Sequence, residues 1–182
     1  ITNGQFTHLV ATVTLSNVMK LYQDGILVGT DSTVTALTVM TRSNHYLGRS
    51  NWDVAAMLKG YMKYFRVWQG HELTQAEVSH LCSHRDSAPS PSYAWDFRID
   101  SSSGPVDSIS GLTSTYENGL TSSMTMGAYF AGGGNSGSNA DYINLQGFVL
   151  GGTCSFEVYV RYDDYGEWAR VFDFGDNTND DY

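Results

Sequence analysis

Apolar and polar side chains alternate along most of this chain in short runs, seldom at helical spacing. Phe6-Thr7-His8-Leu9-Val10-Ala11-Thr12-Val13 is rich in β-branched residues, and Val18-Met19-Lys20-Leu21-Tyr22 follows after a polar break at Ser16-Asn17. Alternation of period two marks a half-buried strand, so these two runs predict a hairpin. Asp24-Gly25 then predicts a tight turn, because glycine accepts positive φ without steric penalty, and Ile26-Leu27-Val28 resumes extended chain. Further strands are expected over 33–39, 45–48 and 57–68, the last long and aromatic. After Tyr93-Ala94-Trp95-Asp96-Phe97 the alternation returns over 141–145, 155–162 and 169–174.

A single helix interrupts this pattern. Thr74-Gln75-Ala76-Glu77 is a capping box, in which the threonine hydroxyl and the glutamate carboxylate each satisfy a backbone N–H that the first helical turn leaves unpaired. Val78, Leu81 and Cys82 follow at helical spacing, predicting a short helix over 74–82 that lies on a sheet. It must stop near His84, since Ser87-Ala88-Pro89-Ser90-Pro91-Ser92 holds two of the three prolines and favours extended backbone. The glycine-rich stretch 132–139 is a loop. No lysine or helix start follows it, which argues against a phosphate cradle.

Composition narrows the partners. The chain has 182 residues and a formal charge of −9, with 10 basic against 19 acidic side chains. A phosphate backbone needs a basic stripe to displace counterions, so nucleic acid is excluded as a partner. The imbalance is local: residues 1–92 carry seven basic and six acidic side chains, residues 93–182 three and thirteen. No stretch approaches the roughly 18 apolar residues of a membrane-spanning helix, so membrane insertion is not expected. Neither an initiator Met nor a signal peptide is present, the pattern expected of a piece of a longer protein.

Taken together, the runs 8–13, 19–25, 46–49, 60–68 and 73–81 resemble the second half of a laminin-G-like (concanavalin A-like) jelly roll. Trp95-Asp96-Phe97, the glycine-rich loop, Asp141-Tyr142-Ile143, 155–160 and 168–175 resemble its first half. The resemblance covers almost the whole chain but in permuted order, and one or two strands' worth of sequence is absent at the junction. It implies an all-β fold, an antiparallel β-sandwich with one short helix. The C-terminal half of such a sandwich would occupy 1–83, a Pro/Ser linker 84–92, and the N-terminal half 93–182. The halves could close on each other within one chain, as a tolerated circular permutation does, or pair with neighbouring copies, which propagates into filaments. One compact sandwich per chain is expected, because half a sandwich exposes an apolar face and unpaired edges.

Hydrolases of this fold place two acids alternately on one strand, since glycosidic cleavage needs an acid and a nucleophile or base. Here Glu157 is followed by Val158-Tyr159-Val160-Arg161 and lacks its second acid, so no enzymatic activity is expected. Relatives often hold Ca2+ in loops, and hard oxygen ligands suit that ion. The resemblance implies as candidate ligands Asn139, Asp141, Asp176, Asn177 and Asp180, although Lys63 stands where relatives often carry an acid. Aromatic residues suit sugar faces, and Trp52, beside Asp53 in a loop between strands, is the candidate exposed ligand contact. An even cysteine count makes Cys82 and Cys154 candidates for a disulfide. His80 and His84 have a zinc-ligand spacing, without evident further ligands. The expected role is a non-enzymatic extracellular or cell-surface structural and adhesion module of a repeat-containing protein, contacting neighbouring copies, glycans or other proteins and assembling into an array by complementation of half-domains. The alternative is a lectin-like carbohydrate-binding module, calcium-dependent in some relatives.

Overall fold

The computed structural model describes residues 1–51, 57–86, 89–132, 141–164, 166 and 169–175. Strands β1 (Phe6–Val13), β2 (Met19–Gln23), β3 (Ile26–Asp31), β4 (Met40–Thr41), β5 (Asn44–Leu47) and β6 (Lys59–Gln69) precede helix α1 (Gln75–His84). Strands β7 (Tyr93–Asp96), β8 (Ser114–Glu117), β9 (Thr121–Ser123), β10 (Gly127–Ala131), β11 (Tyr142–Leu145), β12 (Val149–Leu150), β13 (Cys154–Asp164) and β14 (Phe172–Gly175) follow. The fold is an all-β antiparallel sandwich, with one helix among the described residues. No helix among the described residues is long and apolar enough to cross a membrane.

The large sheet has the order β3-β2-β1-β13-β6-β10-β9, with β7 also on β6, and the small sheet the order β14-β5-β11-β8. Strands from before and after the proline pair therefore interleave. β13 lies between β1 and β6 and pairs along nearly the full length of both. Alternation on these strands sends Phe65, Val67, Phe156, Val158 and Val160 inward to meet Trp95, Phe130, Leu145 and Phe174 in the main core. Rings of Phe156 and Phe172 lie 4.9 Å apart, so β14, an edge of the small sheet, faces β13. Strands β1 to β3 extend past that edge. Their inward side chains are thinly covered, with Met19 38% and Leu21 44% exposed.

Local chemistry explains the elements that sequence pattern anticipates. Asp24 and Gly25 both have positive φ (50° and 83°), which closes the β2–β3 hairpin. The capping box at Thr74 and Glu77 is formed, and α1 ends with Arg85 in the left-handed conformation, its N–H donating to Leu81 O. Val78 and Leu81 bury against the outer face of the large sheet, with Leu73, Val10, Tyr22 and Trp68.

Two expectations fail. Residues 33–39 form a loop and not a strand, because side-chain and loop groups satisfy its backbone: Ala36 N–H donates to Asn17 Oδ1, and Leu37 O accepts from Gly152 N. Cys82 and Cys154 are separate thiols. Cys154 points into the main core, whereas Cys82 rides on the helix beside the Gly25 turn on the opposite face of the sheet. Burial pushes the Cys154 thiol pKa up to about 12. A thiol-alkylating reagent is therefore expected to label the half-buried Cys82 in the native protein and Cys154 only after unfolding; a disulfide-linked peptide in the digest would contradict this.

His45 sits fully buried between Phe148 and Phe174, at ring distances of 4.1 and 4.8 Å, with neither ring nitrogen bonded. Burial, and then the charge of Arg42, lower its pKa from 6.5 to about 4. Above about pH 6.5 it is neutral in both folded and unfolded chains. Below that, the unfolded chain takes up a proton that the folded one refuses until about pH 4, so stability falls as pH drops through this window. The loss is about 3 kcal/mol. Urea unfolding of wild type and His45→Phe at a series of pH values should show this component only in wild type; parallel profiles would refute it.

Candidate functional site

The outer face of the large sheet divides into two parts. α1 covers the side near β2, and beside it four polar side chains are buried together. Register places Arg66 opposite Glu157, Val10 opposite Glu157 on its other side, and His8 opposite Tyr159. Glu157 Oε1 meets His8 Nε2 at 2.8 Å and accepts from the Tyr64 hydroxyl at 3.3 Å, while Oε2 accepts from Arg66 Nη1 at 2.9 Å. The side chains of His8 and Glu157 are wholly shielded from solvent. Burial and the Glu157 charge push the Tyr64 phenol pKa well up.

Arg66 also reaches outward. Its guanidinium donates to the carbonyls of Asp86 and, at 3.1 Å, Arg85, while Trp68 Nε1 donates to Pro89 O at 2.9 Å. The segment after α1 is thereby tied to the sheet. All of Glu157's neighbours are structural partners, and its carboxylate meets no open cleft. A general acid must reach a substrate, and Glu157 instead joins three strands.

The other part of this face is open. Phe6 on β1, Tyr159 and Arg161 on β13, Tyr61 and Lys63 on β6 and Tyr129 on β10 form a continuous row. Ring centroids of Tyr61 and Tyr129 are 4.8 Å apart, and those of Phe6 and Tyr159 5.1 Å. Arg161 lies 4.4 Å over Tyr61, Lys63 Nζ 4.4 Å over Phe6, and Arg85 4.2 Å over Tyr159. Cations favour the negative faces of aromatic rings, which gathers them here despite the chain's net charge of −9.

The cations on and beside the row differ in how they are compensated. Arg161 pairs with Asp163, and the nearby Arg98 with Asp96. No carboxylate among the described residues lies within ion-pair distance of Lys63. Partial burial, and then the charges of Arg98 and Arg85, hold its pKa below the ordinary lysine value. Lys63 and Arg85, which has no such carboxylate either, are therefore the cations beside this row with the most to gain from an anion.

Trp52, Asp53, Asn139, Asp176, Asn177 and Asp180 fall outside the described residues. The Asp141 carboxylate accepts from Ala131 N–H at 3.1 Å. His80 and His84 stack at 4.2 Å, with His80 on Asp86 and His84 on the His80 carbonyl. Among the described residues no three His, Cys, Asp or Glu side chains converge as a metal cluster. The open row was missed from sequence. Its signal is Tyr-x-Lys at 61–63 and Tyr-x-Arg at 159–161, which acquires meaning only when Arg161 pairs with Tyr61 across the strands.

Residues 1–79 match the family described as the concanavalin A-like lectin/glucanases superfamily, of laminin G type. That segment runs from β1 through the first turns of α1 and includes Phe6, Tyr61 and Lys63. Comparison with curated proteins and with solved structures gives no match.

Removing one partner of a buried ion pair strands the other, at a cost of about 3–5 kcal/mol. Glu157→Gln should lower the unfolding free energy by an amount of that order, measured by urea denaturation. A change near zero would show that the cluster does not hold the sheet.

Proposed function

We propose that this chain, a sandwich with a concanavalin A-like segment, is a non-enzymatic recognition module of an extracellular protein, and that the open row on its large sheet binds an anionic glycan. Lys63 carries this proposal: an ammonium held over Phe6 and Tyr159 without a carboxylate partner among the described residues. Sugar rings present C–H faces that pack on aromatic side chains, for which Tyr129, Tyr61, Phe6 and Tyr159 supply an extended platform. A carboxylate or sulfate on the same chain would meet Lys63, Arg161 and Arg98. The acidic remainder of the surface would then repel the polymer and confine it to this face.

Adhesion follows when such a module is one of several in a larger protein, since repeated weak contacts to one polymer add through effective concentration. Assembly of an array by exchange of halves has less support. β13 already fills the place between β1 and β6 within one chain.

The test is calorimetric titration with a heparin oligosaccharide, using uncharged dextran as control. Heparin should bind and dextran should not, and the affinity should fall as salt rises from 50 to 300 mM, because exposed charges are screened over about 10 Å. Lys63→Ala should weaken binding about tenfold or more, while Lys63→Arg retains it. EDTA should have no effect, since no carboxylate cluster among the described residues borders the row. Equal binding by wild type and a Lys63→Ala/Arg161→Ala double variant would refute the assignment.

A further inference from the structure

The inner side of the overhanging strands forms a second surface, chemically unlike the first. A cleft of about 630 Å³ lies between β1 and β2 above and the edge strand β14 below, with the loop after β3 at its side. Its walls are chiefly Ala11, Val13, Met19, Leu37, Phe156 and Phe172. The volume lies within the range of small-molecule sites, about 300–1,000 Å³, which are typically apolar with a few fixed polar groups.

Three charged side chains line it: Arg42, Arg170 and Asp173. Asp173 is fully engaged, its carboxylate accepting from Ser50 Oγ at 2.9 Å, Asn51 N at 3.1 Å and Asn51 Nδ2 at 2.9 Å. Arg42 is only 4% exposed. Its guanidinium donates to Leu150 O at 2.8 Å and Thr38 O at 3.3 Å, and no carboxylate among the described residues stands within ion-pair distance. A buried charge ordinarily has a counter-charge. The neighbouring His45 offers none, since an imidazole is either neutral or cationic. The charge of Arg42 is thus met by carbonyl dipoles and by no described carboxylate, and an anion is what would balance it.

We propose that this cleft binds a free long-chain fatty acid, with its carboxylate on Arg42 and its hydrocarbon chain along Val13, Leu37, Phe156 and Phe172. Charge and shape both select this occupant. An extended peptide segment or a neutral sterol would cover the apolar wall and leave Arg42 uncompensated, whereas one singly charged amphiphile answers both features. Arginine retains donors beyond the two used on carbonyls, and its planar fork suits a carboxylate. This site lies on the opposite face of the large sheet from the aromatic row, so it stands or falls separately from glycan binding.

The test uses the purified chain and cis-parinaric acid, a fluorescent 18-carbon carboxylate, with its methyl ester as control. Saturable one-to-one binding of the acid is expected, with the ester at least tenfold weaker. Arg42→Lys should retain the preference for the acid, Arg42→Met should bind acid and ester alike, and Ala11→Trp, which fills the cleft, should bind neither while keeping the native far-UV circular dichroism and a cooperative urea transition. Equal affinity of the wild type for acid and ester would overturn the proposal. So would the absence of saturable binding by folded protein, or uptake of the acid only in the presence of phosphatidylcholine vesicles.

Discussion

Glu157 imposes the constraint on which the sheet depends. A carboxylate shut away from water must have its partners in place, and these come from three strands: His8 on β1, Tyr64 and Arg66 on β6, with Glu157 itself on β13 between them. A one-residue slip of β13 would turn Glu157 into the aromatic core and Phe156 out to the polar cluster. The ionic cluster and the apolar inner face therefore specify the same register from opposite sides. Arg66 extends the constraint to the chain after α1 through the Arg85 and Asp86 carbonyls, so that helix, linker and sheet are fastened at one place.

The interleaving of the two parts of the chain follows from this arrangement. β1 and β6 precede the proline pair and β13 follows it, so neither part alone can build the centre of the large sheet. Closure also leaves an asymmetry. The large sheet continues through β1, β2 and β3 beyond the point where the small sheet stops at β14. The large sheet thus carries two surfaces with different chemistry, and β1 and β13 belong to both. Outward, β1, β13, β6 and β10 present rings and cations toward solvent; inward, beyond the edge of the small sheet, β1 and β2 roof an apolar cleft with a buried guanidinium. Period-two alternation alone separates a face suited to a polyanion in water from one suited to an amphiphile.

Much of this architecture was legible locally. The β1–β2 hairpin, the Asp24-Gly25 turn, the capping box at Thr74 and the long β6 strand all rest on chemistry within a few residues. What was not legible is non-local. Residues 33–39 carry β-branched side chains suited to a strand, yet Asn17 and Gly152 satisfy their backbone where a neighbouring strand would have. β4 and β12 are too short to show a period. Cys82 and Cys154 suggested a bridge by number, and only the placement of helix and strand on opposite faces of a sheet separates them. The open row spans four strands, so no single stretch reveals it. Glu157, inspected as a catalytic acid, proved to be the residue that secures the register.

The account rests on β13 pairing with β1 and β6 of its own chain. An isotope-filtered NOE experiment on an equimolar mixture of labelled and unlabelled protein addresses this directly. Contacts from Glu157 to Val10 and Arg66, and from Phe156 to Ala11 and Val67, should appear within the labelled chain and be absent from the intermolecular spectrum. The same contacts in the intermolecular spectrum would show that the sheet is completed by a second molecule, and would contradict the account.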